Sequence, residues 1–350
     1  MQQKKSLVLL VGNFPHHLDH LAPFAGEIGA PLCILEESLY LLAKKTYPNL
    51  KVFHTNFFHL LTQHLKKYDQ IISCVSIRVF EEAFASFKHL SYFWLPHGHS
   101  DKGFTQEKYF RLFAEEQNLL LYGNHLLDQM KKSGALKTAN SHVIKNFRYY
   151  HYCKNRKFYD SKVQDLSLDL SKPTLLYAPT WQDKEDSSSF SHFSNHLEKL
   201  KKNYSVICKW HPNLLVKEKE QIKKIEEKNP EITFLHEFAP IYPLLSVCSI
   251  YVGDVSSIGY DFLTFQRPMV FLDEHSRDYP LFSCGTVLPK EEYKNIEIAL
   301  ERAISDHKNK YIYKQIELYE YTFGKKEPID AFNKHFALLK KQFENPAKVV

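Results

Sequence analysis

The chain has 350 residues, 44% hydrophobic and 25% charged, the balance of a globular protein with room for two cores. Its formal charge of +6 comes from lysines spread in pairs such as Lys44-Lys45, Lys66-Lys67 and Lys131-Lys132. That pattern argues against a nucleic-acid partner and suits an anionic small molecule or peripheral contact with an acidic membrane face. No apolar run approaches the ~18–20 residues of a membrane-spanning helix. Six cysteines scattered singly support neither a zinc motif nor a disulfide framework and read as reduced core thiols.

Taken in order, the chain opens with two lysines and the apolar run Ser6 to Val11, a faint mimic of a signal peptide. The run is short, and Asn13-Phe14-Pro15-His16-His17 is no small-residue cleavage site, so a first strand and a cytoplasmic location are expected. Further strands are expected at 31–35, 51–54, 70–75, 92–95 and 119–122. Helical patterns lie between them at 57–67 and 78–88, and another at 124–134 ends on Gly134. The charged stretch 155–173 reads as a linker. A second set of strands follows at 174–178, 205–209, 232–235, 249–252 and 268–272, separated by helical patterns at 192–202 and 214–228. The C-terminal stretch reads mainly helical. The alternation predicts an α/β protein of two Rossmann-like domains, 1–160 and 161–350, facing a cleft, with C-terminal helices packing back across.

The first strand is followed by Gly12-Asn13-Phe14-Pro15 rather than GxGxxG, which disfavours a nicotinamide or flavin. GxxxxGK[ST] is missing, which argues against a P-loop enzyme, and no cofactor is expected. No DxD motif signals a metal, and none is assigned.

Four segments fall at expected carboxyl ends of strands, where open α/β sheets place ligands. In the first, His97-Gly98-His99 precedes Lys102-Gly103; the glycines permit close backbone approach and His97 can act as a base. The second ends a strand in Pro179, then offers the Thr180 hydroxyl and the Trp181 indole, for a phosphate and a base or ribose, or for the core. The third is Lys209-Trp210-His211-Pro212, a fixed cation with a donor or acid. The fourth, Gly253 to Phe262, carries Asp254, Ser256, Ser257 and Asp261 and reads as strand, turn and helix start. Its backbone N–H groups and hydroxyls suit a phosphate; the alternative reading is an ordinary cap, with Asp254 or Ser256 satisfying the helix's own first turn. Together these residues fit a nucleoside diphosphate, with Lys209 and the helix start standing in for a divalent ion.

The order His97-Gly98, Ala178-Pro179-Thr180-Trp181, Lys209-x-His211-Pro212, Asp254-x-Ser256-Ser257 and Arg267-Pro268 resembles the CDP-glycerol glycerophosphotransferase family of teichoic-acid primases and polymerases. The resemblance implies a GT-B-like fold, residues 1–160 serving the acceptor and 161–350 the donor. It implies His97 as the base for the acceptor hydroxyl and His211 as a second catalytic group on the donor. Gly98, Lys102, Pro179, Thr180, Trp181, Lys209, Asp254, Ser256, Ser257 and Asp261 then line the donor side. The implied reaction is attack by an alcohol, free or lipid-linked, on CDP-glycerol or another CDP-alcohol, with release of CMP. The chain departs from the family pattern at Gln182 and Val255, where Arg and Tyr are usual. The competing readings are a nucleotide-sugar glycosyltransferase or 2-epimerase-like enzyme, with Asp261 nearest to a ribose-binding acid, and a nucleotide-binding relative without turnover.

Overall fold

The computed structural model describes residues 4–84, 86–102, 113, 116–136, 139–166, 168–183, 185–237 and 239–344. The chain divides into two compact units: Met1–Gly98 with Gly103–Lys154 and Tyr321–Val350, and His99–Lys102 with Asn155–Glu320. Each is built on one parallel sheet, as the α/β alternation requires.

In the first unit the strands are β1 (Ser6–Leu10), β2 (Leu32–Ile34), β3 (Val52–His54), β4 (Gln70–Ser73), β5 (Ser91–Trp94), β6 (Asn118–Leu121) and β7 (Asn140–Val143), ordered β3-β2-β1-β4-β5-β6-β7. Leu7 to Leu10 are fully buried, the continuous apolar run of a strand covered on both faces. The pattern at 57–67 is helical throughout, though its middle, Leu60–His64, widens to a π-helix. The edge strand β7 was not expected. Its Asn140-Ser-His-Val sequence is half polar because its outer side faces solvent, so no apolar run announces it.

In the second unit β8 (Thr174–Ala178), β9 (Ser205–Lys209), β10 (Thr233–Leu235), β11 (Ile250–Gly253), β12 (Met269–Asp273) and β13 (Thr286–Pro289) are ordered β10-β9-β8-β11-β12-β13. Strands β8 and β9 coincide with the expected spans. The edge strand β13 again escaped the sequence pattern: Val287 faces solvent between buried neighbours, and the strand ends in proline. Between the sheet and its helices, Tyr177, Phe193, Trp210 and Leu300 form part of one buried cluster. Five of the six cysteines are buried, and Cys153 is half-buried.

Two boundaries differ from those expected. The linker 155–173 begins with the helix Arg156–Gln164, whose Tyr159 and Val163 are buried, so it is part of the second unit. The C-terminal helix Ile329–Glu344 belongs to the first unit, although it follows the second in sequence. The reason is aromatic: Phe332 stacks on Tyr150 at 3.9 Å, and Phe336 and Phe343 pack on Phe24. Each such buried side chain stabilises by about 1.5–3 kcal/mol. Among the described residues no helix is long and apolar enough to cross a membrane.

Candidate functional site

In the second unit the strand order reverses between β8 and β11, which opens a crevice beyond their carboxyl ends. The loop after β8 carries Pro179, Thr180 and Trp181; the loop after β11 carries Asp254, Ser256 and Ser257. Two segments 70-odd positions apart in sequence therefore flank one switch point, and β9, beside β8, ends at Lys209.

Asp254 ties the two loops together. Its Oδ1 accepts the Thr180 backbone N–H at 2.8 Å, and its Oδ2 accepts the backbone N–H and hydroxyl of Ser189, both at 2.8 Å. The side chain is fully buried. Burial pushes its pKa up to about 6, opposed by the Ser189 and Thr180 hydrogen bonds and by the charge of Lys102. Asp254 thus contacts this chain itself, where a donor-lining role was expected; it positions Thr180. Asp261 is likewise buried and accepts the Tyr242 hydroxyl at 3.0 Å.

Lys102 reaches the loop after β8. Its Nζ donates to Thr180 Oγ1 at 2.9 Å and to Asp183 at 2.7 Å. Because Thr180 Oγ1 accepts from the ammonium, its own O–H remains to donate. The anchor of Lys102 is its neighbour Asp101, whose buried carboxylate accepts the Tyr260 hydroxyl at 2.5 Å and the Leu281 N–H at 3.2 Å. Burial raises the Asp101 pKa to about 6. His99 is buried edge-on against Tyr260, 4.5 Å between ring centroids. Gly98, at φ +130°, adopts a backbone conformation that favours glycine just before this segment. Gly103 lies outside the described residues.

His211 is the N-cap of the helix Pro212–Lys217: its Nδ1 accepts the Asn213 N–H at 3.1 Å. In the neutral ring the proton then sits on Nε2, which makes that nitrogen a donor. Pro212 at the first helical position lacks the N–H that would otherwise need a partner. Trp181 is half-buried, with Lys217 Nζ 4.2 Å from its ring centre and the His211 ring 6.2 Å away. Lys209 is half-buried at the end of β9.

Ser256 caps the helix Ser257–Phe262, accepting the Ile258 N–H at 3.3 Å, so the capping reading of this turn holds for Ser256. Ser257 is half-exposed. The glycines of the motif have steric reasons. A Cβ on Gly253 would collide with the Tyr251 ring, and one on Gly259 would lie 2.7 Å from Leu281 Cδ2. The Arg267 guanidinium donates to the carbonyls of Ser246 and Cys248, at the end of the helix Ile241–Val247.

In the first unit His97 lies just beyond β5 and is solvent-exposed at its surface edge. It packs on His17 and His16, with ring centroids 4.8 and 5.4 Å away. Desolvation by the atoms packed around the ring lowers the His97 pKa from its ordinary value, although its outer edge reaches solvent. Burial, with His97 and His16 nearby, lowers that of His17 to about 2. His20, below them, meets the Tyr122 hydroxyl at 2.5 Å.

Sequence reasoning missed the Ser187-Ser-Ser189 turn, which supplies Asp254 with donors, the Lys102–Asp183 pair, and the His16–His17 pair. A signal existed for the last: His16 and His17 follow β1 and His97 follows β5, at the same end of one parallel sheet.

The profile of the family described as CDP-Glycerol:Poly(glycerophosphate) glycerophosphotransferase matches residues 149–293. That span contains the Thr180, His211 and Ser256 segments and omits His97 and Lys102. A teichoic acid glycerol-phosphate transferase of Staphylococcus aureus is 25% identical over 36% of this chain and 33% of its own. A teichoic acid glycerol-phosphate primase of Bacillus spizizenii is 25% identical over 46% and 41%. The chain thus spans well under half the length of these curated relatives. In fold it is similar to the wall teichoic acid polymerase TagF soaked with CDPG: TM-score 0.65, 12% identity, 98% of this chain and 90% of that one. Anabaena HepE in complex with UDP and glucose gives a TM-score of 0.58 at 12% identity, over 97% and 99%.

Proposed function

We propose, from the premise that residues 149–293 belong to the CDP-glycerol glycerophosphotransferase family, that the chain transfers glycerophosphate from CDP-glycerol to an acceptor hydroxyl and releases CMP. The observation that carries the reading is the second unit's switch point, where Thr180, Lys102, His211 and Ser257 offer donors and a cation within one nucleotide-binding topology. A departing CMP phosphate gains negative charge, and these groups stabilise it. The Trp181 indole, half-buried beside Lys217, supplies an apolar wall for the base or ribose.

His97 is the proposed general base. The acceptor O–H loses its proton to the imidazole as oxygen attacks the glycerol-bearing phosphorus, and the P–O bond to CMP breaks. Its support is a lowered pKa at a strand end and its place in the family's His-Gly segment. Lys209 and Pro179 belong to the proposed donor side by position, Gly98 by the backbone freedom it gives its loop. The proposed setting is cytoplasmic, at the inner membrane face if the acceptor is lipid-linked, in keeping with the lack of any cysteine spacing that would read as a disulfide framework.

The test is incubation with CDP-glycerol, CDP-ribitol and UDP-sugars, following CMP or UDP release. CMP release from CDP-glycerol is expected; UDP release alone would favour the nucleotide-sugar reading. A rise in melting temperature with CMP and CDP but not UDP is the matching binding result. No shift with any nucleotide would sink the assignment.

A further inference from the structure

We propose that His16, His17 and His97 form a binding site for a zinc-class divalent cation in the first unit. One ring nitrogen from each of the three lies within 4.8 Å of the others. A tetrahedral zinc ion with Zn–N bonds of about 2.0–2.1 Å holds its nitrogens about 3.4 Å apart. Side-chain rotation must therefore bring the rings together by an ångström or so.

The second observation is the state of His17. It is 7% exposed, and its Nδ1 is buried with no hydrogen-bond partner. A buried polar atom without a partner is destabilising, and a metal ion bound through Nδ1 would take its lone pair. The cluster also has an entrance, because His97 is exposed and His16 half-exposed.

The backbone holds the ligands where they are. His16 and His17 sit in the first turn of the helix Pro15–Ile28, entered through Gly12 at φ +80°. A Cβ at Gly12 would lie 2.5 Å from the Phe14 ring, and that ring packs against His17 at 4.9 Å. Glycine is thus needed for the turn that seats the pair.

The donor set selects the ion. Three imidazoles without a carboxylate suit Zn²⁺, Co²⁺ or Cu²⁺ and disfavour Mg²⁺ and Ca²⁺, which take oxygen ligands. Three protein ligands leave a fourth position for water or another oxygen ligand.

The inference goes beyond the transfer reading and is read without donor or acceptor, so either can fail alone. Because a metal-bound His97 has no lone pair left for the acceptor proton, the two occupy His97 in turn, and zinc loading is expected to suppress CMP release. The full chain, stripped with EDTA, is dialysed against zinc and separately against cobalt, and bound metal is measured with the cobalt visible spectrum. Wild type is expected to retain about one zinc per chain and to show a tetrahedral cobalt band. It should also melt higher with zinc than without. His16→Ala and His97→Ala should each weaken retention by at least about 10- to 100-fold, the cost of losing even an outer-shell partner. His59→Ala, at an exposed histidine elsewhere, should leave retention intact. The His16 and His97 variants carry the test because both side chains reach solvent; their own melting curves show that they fold. No zinc on wild type, or equal zinc on all variants, would overturn the site.

Discussion

The carboxylate of Asp254 accepts the backbone N–H of Thr180 at 2.8 Å, joining residues 74 positions apart. With its other oxygen on Ser189, it fixes both loops at the switch point of the second sheet. A fully buried acid with three donors around it sets the shape of both loops.

Asp254→Asn keeps the shape but turns one acceptor oxygen into a donor facing an N–H or O–H. We expect a loss of about 1–3 kcal/mol, the cost of an unsatisfied buried polar group. Urea denaturation reads it as a lowered midpoint with an unchanged slope. The melting shift given by CMP should shrink as well, because Thr180 is no longer held. A variant as stable as wild type would contradict the role given to Asp254.

Asp101 predicts a pH dependence. Its folded pKa, about 6, lies above the unfolded value near 3.8, so the folded state holds the proton more tightly. The stability this supplies is full below the unfolded value and is lost as pH rises through about 6. The linkage amounts to at most about 3 kcal/mol. Unfolding free energy measured between these limits should fall with pH more steeply in wild type than in Asp101→Asn. Asp254, also raised to about 6, contributes to both proteins and cancels in the comparison. Parallel profiles would refute the assignment.

His211 has two separable duties. Asn is a good N-cap, so His211→Asn should keep the helix Pro212–Lys217 capped while removing the Nε2–H donor. His211→Ala should lose both, with an added stability cost of about 0.5–2 kcal/mol. Isothermal titration with CDP should show weakened binding in both variants, and thermal melts should show destabilisation only in the second. Normal CDP affinity in His211→Asn would remove His211 from the donor side.

Lys102→Met and His97→Ala separate binding from chemistry. Lys102→Met leaves Asp183 without its cation and Thr180 without that donor, so the Kd for CDP should rise about tenfold. His97→Ala should leave CDP binding alone and lower CMP release by about 10²- to 10⁴-fold. Full turnover in His97→Ala would end its role as base.

The apolar strand runs were readable from sequence alone, because a strand covered on both faces must be hydrophobic along its length. Of the thirteen strands among the described residues eleven were expected, β8 and β9 with their limits, and the edge strands β3 and β10 on the short apolar pairs Val52-Phe53 and Phe234-Leu235. The edge strands β7 and β13 were not, since polar or solvent-facing residues interrupt the apolar run in each. The motif residues Thr180, His211 and Ser256 were visible as polar groups at strand ends, and each stands at such an end.

What tertiary structure decided is which of these groups keep a free face. Asp254, Asp261 and Arg267 stand in the motif segments in sequence, and in the fold they bond Ser189, Tyr242 and the carbonyls of Ser246 and Cys248. No local pattern encodes those pairings, because each joins segments that only the folded sheet brings together. The same holds for the helix Ile329–Glu344, whose aromatic face chose the first unit, and for His16 and His17, which meet His97 only once β1 and β5 lie in one sheet. Sequence determined where backbone and apolar side chains go, since burial is a property each segment carries. Contacts between polar groups depend on distance in space, and the fold alone sets that.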